Sequence, residues 1–214
     1  DTGMSAYFGM TDIAKPSADD CVLISGAGGA VGTIAGQIAK LSGARVVGIV
    51  GSQAKANWLC DTLGYDAAVV RSGDTPLAEA IGKACPDGVD VFFDNVGGQT
   101  LEAVISNMNH RGRMALCGAI SGYGVTPHGP SNLFELITKE LSVAGFMTHF
   151  RHDRYDEARE QLSHWLLNGV IQSPEHRLEG IENVGKAFAD LFAGENFGKT
   201  IVASVSYTHL RAHE

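Results

Sequence analysis

No run of consecutive apolar residues approaches the roughly 20 that a bilayer-spanning helix needs. No signal peptide is visible, although a chain that opens on Asp1 leaves a lost leader open. Positive charge is short: 16 Lys and Arg stand against 24 Asp and Glu, and the formal net charge of −8 argues against nucleic acid and anionic membrane as partners. Cysteine is sparse and lacks metal-like spacing. Cys21, Cys60, Cys85 and Cys117 are scattered, three of them on or beside apolar runs, and read as small residues of a reducing, cytoplasmic compartment. The eight His residues form no paired arrangement, so no metal site is indicated. Hydrophobic residues make up 44% of the chain, enough for one sizeable core and part of another.

What is present is a strand, a glycine turn and a helix in the order that makes a dinucleotide site. Cys21 to Ser25 is a short apolar run, and from Val31 the apolar residues Val31, Ile34, Ala35, Ile38 and Leu41 line one helix face. Between them lies Ala27-x-Gly29-x-x-Gly32, the dinucleotide fingerprint with Ala in the first glycine position. Gly29 lets the backbone approach a pyrophosphate and Gly32 lets the helix sit close to the sheet, while the free N–H groups at the helix start receive the charge. A glycine pattern alone fits an ordinary turn equally well; the strand before it and the helix after it favour a nucleotide.

A second absence selects the nucleotide. Ala44 to Val50 is a continuous apolar run, as expected of a parallel strand covered on both faces. An NAD site places Asp or Glu at the end of this strand for the ribose hydroxyls. Here the chain continues Gly51-Ser52-Gln53-Ala54-Lys55, without an acid. Ser52 can hydrogen-bond a 2′-phosphate, Lys55 can neutralise it, and Arg71, at the end of the next strand (Ala67 to Val70), adds a second cation. The competing reading makes Lys55 and Arg71 ordinary solvated surface charges. The missing acid and the added cations agree with each other and favour NADP(H) over NAD.

The alternation continues with helices at Gln53 to Leu63, Pro76 to Ala84, Thr100 to Asn107 and Leu133 to Glu140, and strands at Val89 to Asp94, Arg113 to Cys117 and Ser142 to Met147. Such alternation specifies an α/β fold, a doubly wound parallel sheet of the Rossmann type, with its ligand at the carboxyl ends of the strands. Glycine-rich stretches follow those ends at Asp94 to Gly98 and Gly118 to Gly124, and Phe146-Met147-Thr148 ends a third strand. The last third changes character. Asp153 is expected to cap a helix that Asn168-Gly169 ends, a helix spans Glu182 to Phe192, and a final strand, Gly198 to Ala203, suits a different sheet.

Taken in order, these segments resemble one family closely. Ser5-Ala-Tyr-Phe-Gly9, Ser25-Gly-Ala-Gly-Gly-Ala-Val-Gly32, Val47-Gly-Ile-Val-Gly-Ser52, Phe93-Asp-Asn-Val-Gly-Gly98, Cys117-Gly-Ala-Ile-Ser121 with Tyr123, and Gly194-Glu-Asn-Phe-Gly-Lys199 are similar to the zinc-independent medium-chain dehydrogenase/reductases, in the NADP-dependent prostaglandin reductase and alkenal/one oxidoreductase group. The resemblance runs from about residue 3 to about residue 204. It implies NADPH-dependent reduction of the C=C bond of an α,β-unsaturated aldehyde or ketone, with hydride passing to the β-carbon and charge collecting on the carbonyl oxygen, where hydrogen-bond donors must stand. By position, Gly29, Ala30, Val31 and Gly32 would hold the pyrophosphate, and Ser52 and Lys55 the 2′-phosphate. Asn95, Cys117, Gly118, Ala119, Ile120, Ser121, Tyr123, Phe146, Met147, Thr148 and Asn196 would line the track from adenosine to nicotinamide. Arg71 stands where many relatives carry Tyr, either serving the same phosphate or facing solvent. Tyr123 is the one catalytic donor on offer, with Tyr7 behind it; either also suits a packing aromatic.

The resemblance also divides the chain. Residues 1–18 correspond to a hinge helix, 19–150 to the NADP-binding domain, and 151–204 to elements returning to a GroES-like substrate domain that is missing. Residues 205–214 resemble a read-through tail and are expected to be disordered. The chain thus reads as an N-terminally truncated fragment that binds cofactor without efficient catalysis. An NADPH quinone oxidoreductase of the same superfamily, and an NADPH-binding protein without turnover, are the alternatives. A homodimer through the strand near Ser142 to Met147 is the superfamily's habit.

Overall fold

In a computed structural model that describes residues 1–123 and 129–204, Cys21–Ser25 forms strand β1 with all its residues buried. Such a run is hidden only when both faces of a strand are covered. The same sheet contains β2 (Arg45–Val50), β3 (Ala67–Val70), β4 (Val89–Asp94), β5 (Met108–Leu116) and β6 (Ser142–Gly145). Its order is β3-β2-β1-β4-β5-β6, parallel throughout. This is the doubly wound dinucleotide-binding order, and its direction reverses between β1 and β4, where the crevice opens.

The connecting helices are α1 (Thr2–Phe8), α2 (Ala30–Leu41), α3 (Gln53–Leu63), α4 (Leu77–Ala84), α5 (Gly98–Asn107) and α6 (Phe134–Thr138). Alternate strand residues divide the core. Val22, Ile24, Val91 and Phe93 pack with Phe8, Ile34 and Leu59 on one face, and Leu23, Val47 and Phe92 with Ile81, Ile105 and Met114 on the other. Beyond β6 come α7 (Tyr155–Leu167), β7 (Glu175–Glu179), α8 (Val184–Ala193) and β8 (Lys199–Ala203). As the sequence leads one to expect, β8 joins a separate sheet. It pairs in parallel with β7.

Several boundaries differ from the sequence reading. β5 begins at Met108 rather than Arg113, through a register shift and a left-handed Arg111 (φ 62°) that hydrophobic patterning does not reveal. β6 stops at Gly145 because Phe146 turns inward onto Phe93, ring centroids 6.2 Å apart. Asp153 does not cap α7. A 3-10 turn over Thr148–Arg154 precedes that helix, and Arg154 occupies the cap position.

The cause lies in Asp12, within the π-helix Gly9–Ala14 that continues α1. Its carboxylate accepts from Arg151 Nε at 3.0 Å and from Arg154 Nη1 at 2.8 Å, which draws both arginines off a regular helical start. Burial pushes the Asp12 carboxyl up, but the hydrogen bonds from Arg154 and Arg151 outweigh it and hold the group below its ordinary value. A depressed folded-state pKa contributes stability that is present above the ordinary Asp range and lost as pH falls through the depressed value. Asp12→Asn should therefore cost about 2 kcal/mol at pH 7. The difference in Tm from the parent should close on acidification; a difference independent of pH would exclude an ionic contribution.

Candidate functional site

The crevice at the switch point is built from the backbone upward. After β1 the chain turns at Gly26 (φ 58°), and Ala27 N–H donates to Ile49 O at 3.1 Å, anchoring the turn to β2. α2 starts at Ala30 with Gly29 as N-cap, no capping side chain and no acidic residue in its first turn. Its first N–H groups therefore keep their positive character toward the crevice. Gly32 has no room for a side chain: a Cβ there would lie 2.4 Å from Gly26 O and 2.6 Å from Ala27 Cα. Tyr65 locks the helix from behind by donating its phenol to Gly32 O at 2.8 Å.

At the adenosine end, Ser52 caps α3, its Oγ accepting from Lys55 N–H at 3.4 Å. That contact leaves the Ser52 O–H proton available to a ligand. Lys55 is only 7% exposed, contrary to the surface-charge reading. Its stem crosses Gly28, and its Nζ lies 5.6 Å from the centre of the Phe197 ring. No carboxylate among the described residues pairs with it, and burial lowers its pKa. Arg71 stays exposed on the same rim.

At the opposite end β1 and β4 are stapled together. Ser25 Oγ–H donates to Asp94 Oδ1 at 2.6 Å, and Asn95 donates its N–H to Ser25 Oγ and its Nδ2 to Ser25 O, at 2.8 and 2.7 Å. Asp94 in turn accepts from the N–H groups of Val96 and Gly97. Asn95 is thereby fixed at the mouth of the crevice.

The resulting cleft has a volume of about 810 Å³. It brings together Gly29, Ala30, Val31, Gly32, Ser52, Lys55, Arg71, Asn95, Ile120 and Asn196, all named from the sequence. Other named residues stand outside this lining. Gly118 packs on the Asn95 backbone, Ser121 Oγ–H donates to Val96 O at 2.6 Å, and Cys117 and Ala119 belong to the same wrap without reaching the cleft. The Cys117 thiol is pushed up to about 11 by burial. Phe146 belongs to the core, and Met147 and Thr148 lie beyond it. Tyr123 is 65% exposed and outside the cleft, beside residues 124–128, which, like the tail 205–214, lie outside the described residues. Tyr7 is a structural tie rather than a donor: its hydroxyl donates to Glu157 at 2.8 Å, and burial first, then Glu157, pushes its pKa up to about 12.

Of the outer wall the sequence reading named only Asn196 as lining the cleft. Leu191 to Thr200 closes the cleft, with Gly198 N–H donating to Gly28 O at 2.8 Å and Gly29 bridged to Gly198. Asn196 is buried there, its Nδ2 donating to Gly198 O at 2.9 Å. Thr200 Oγ1 is buried in this wall with no hydrogen-bond partner among the described residues. The cleft therefore offers a buried ammonium with no carboxylate partner among the described residues and a helix start free of acids. That donor set fits a phosphate-bearing polar ligand.

The family model described as zinc-binding dehydrogenase matches residues 30–164. The chain belongs to this family. Within it, prostaglandin reductase 1 of Bos taurus is 44% identical over 203 residues, covering 94% of this chain and 61% of the relative. The NADP(+)-dependent 2-alkenal reductase of Nicotiana tabacum is 38% identical over 201 residues, covering 94% and 59%. These relatives agree with the motif resemblance to the NADP-dependent, zinc-independent branch. Among solved structures, CurA from Vibrio vulnificus in complex with NADPH superposes with a TM-score of 0.89 at 38% identity, covering 96% of this chain and 63% of that one. The quinone oxidoreductase of Escherichia coli complexed with NADPH gives 0.79 at 25% identity, covering 94% and 62%. This zinc-binding dehydrogenase family member thus spans about 60% of the length of the curated relatives it matches. Among its described residues no group of three or more His, Cys, Asp or Glu side chains stands together, and no helix is long and apolar enough to cross a membrane.

Proposed function

We propose that the chain binds NADP(H) in this cleft and serves the reduction of the carbon–carbon double bond of α,β-unsaturated aldehydes and ketones. The observation that carries the cofactor reading is Lys55: a buried ammonium with no carboxylate partner among the described residues, in the first turn of α3 just beyond the strand end where an NAD site would place an acid. In this reading Lys55 and the Ser52 hydroxyl hold the 2′-phosphate, with Arg71 adding charge from the rim. The N–H groups of Gly29 to Gly32 take the pyrophosphate. Asn95, immobilised by Ser25, and Asn196 supply amides along the rest of the track. When bound, the reduced nicotinamide supplies a hydride. Tyr123, exposed near the carboxyl end of β5, is the donor assigned to the carbonyl oxygen, and Cys117 to Ser121 and Phe146 to Thr148 are assigned to the nicotinamide end, although only Ile120 of them lines the cleft. The tobacco relative, named as a 2-alkenal reductase, supports the unsaturated-carbonyl class, and the bovine relative's name supports a reductase. A homodimer through β6 belongs to the same proposal, since β6 is the edge strand, Val143 on it is exposed, and Phe134 and Ile137 are exposed on α6, the helix that precedes it in the chain.

Calorimetric titration of the protein with NADPH and with NADH tests the cofactor assignment. NADPH is expected to bind clearly more tightly; equal affinities would remove Lys55 from the phosphate role. NADPH oxidation followed with an enone and with a quinone then tests the substrate class. Faster turnover of the quinone would favour the second reading, a quinone oxidoreductase, which the superposition on the Escherichia coli enzyme supports.

A further inference from the structure

We infer that Phe197 is a positioning residue for Lys55, and that the outer wall thereby sets the preference for a phosphorylated adenosine ribose. The inference rests on the NADP(H) reading of the cleft given above.

A buried ammonium needs something to offset the water it loses. A carboxylate would do so, but it would also cancel the charge that a phosphate has to meet. An aromatic face offers a third solution, because its quadrupole attracts the cation while leaving the positive charge in place. Lys55 has that arrangement. Its Nζ lies over the Phe197 ring at 5.6 Å from the centroid, with no carboxylate partner among the described residues. On its other side the stem runs over Gly28, where even a Cβ would come within 3.1 Å of Lys55 Cδ. The flexible side chain is therefore held between a ring and a bare backbone, so less freedom is left to lose when an anion binds.

The ring is itself fixed. Trp58, on α3 one turn beyond Lys55, meets Phe197 edge to face at 5.2 Å and 79°. The following residue ties the wall to the glycine turn through Gly198 N–H to Gly28 O at 2.8 Å, and Asn196 Nδ2 braces the same Gly198. Phe197 is thus held by α3 and by the phosphate turn, the two elements whose separation defines the ribose end of the cleft.

The test compares Phe197→Leu, which fills the space without a π face, with Phe197→Tyr, which keeps the face. Calorimetry with NADPH and NADH reads the ratio of the two affinities. The leucine variant is expected to lower the NADPH-over-NADH ratio by about three- to tenfold with NADH affinity unchanged, and the tyrosine variant to keep the ratio within about twofold of the parent. A leucine variant with the parental ratio, or one that weakens NADPH and NADH alike, would overturn the positioning role and leave Phe197 as packing for Trp58. Should Phe197→Leu fail to fold, Phe197→Met fills the same space, also without a ring, and gives the same readout. Lys55→Ala, titrated alongside, separates the two levels of inference. A collapsed ratio in Lys55→Ala with no change in the Phe197 variants rejects only the positioning role. An unchanged ratio in Lys55→Ala rejects the cofactor reading and this inference with it.

Discussion

Lys55→Met is expected to weaken NADPH binding by about ten- to a hundredfold, to leave NADH within about twofold of the parent, and to raise the melting temperature of the ligand-free protein. The first two effects follow from one charge-assisted contact that only the 2′-phosphate can make, worth about 1.5–3 kcal/mol. Methionine keeps most of the stem that packs across Gly28 and under Phe197, so little is lost except the charge. The third effect has the opposite sign because the ligand-free fold buries an ammonium that no carboxylate among the described residues balances. Its pKa is lowered by burial, so folding penalises the proton that the unfolded chain keeps. That penalty is fully present below the lowered value and disappears as pH rises from there to the ordinary lysine range. The melting advantage of Lys55→Met should therefore be constant around neutrality and shrink toward alkaline pH. Thermal melts across that range, with both calorimetric titrations, check all three effects. A variant less stable than the parent at pH 7 would mean that Lys55 has, besides the Phe197 ring, a negatively charged partner in the ligand-free protein. Such a partner would also undo the reasoning that assigns it to a phosphate.

What the sequence reveals about this site is what lies close along the chain. The β1–turn–α2 unit occupies consecutive residues, and each glycine in it answers a local steric demand, so Gly29 and Gly32 are legible from spacing alone. The absence of an acid after β2 is local in the same sense. The outer wall is not. Gly198 meets Gly28, and Phe197 meets Lys55 and Trp58, only because β8 leaves the main sheet and pairs with β7. No periodicity in Gly194 to Lys199 indicates which distant turn it will cover. Aromatic residues show the same limit. Tyr7, Phe146 and Tyr123 all lie in motif segments, yet one is tied to Glu157, one is packed on Phe93 and one is exposed. Hydrophobic patterning places an aromatic on an element but does not say whether its partner will be core, cleft or solvent. Strand ends suffer similarly. The start of β5 depends on a left-handed Arg111 whose N–H donates to Lys139 O at 2.7 Å, a contact made to the end of α6, 28 residues further along the chain.

Gly32→Ala should strike the fold and the cofactor together, and so differ in kind from Lys55→Met. The added methyl would sit 2.4 Å from Gly26 O and 2.6 Å from Ala27 Cα, atoms of the backbone that cannot rotate away. Gly36 provides the contrast. There a Cβ would lie 2.0 Å from the Tyr65 hydroxyl, a side-chain atom that a smaller residue at position 65 would remove. At Gly32 relief requires α2 to withdraw from the turn, which breaks the Tyr65 hydrogen bond to Gly32 O and moves the helix N–H groups away from the crevice. Overpacking of this kind costs about 3 kcal/mol. In a domain of this size that corresponds to a fall in Tm of about 6–12 °C. Because NADPH and NADH share the pyrophosphate, both affinities should fall by the same factor, leaving their ratio unchanged. Calorimetry at a temperature where the variant is still folded gives that ratio directly. A selective loss of NADPH in Gly32→Ala would contradict the assignment of the turn to the pyrophosphate, since only a group at the turn that contacts the 2′-phosphate could produce it.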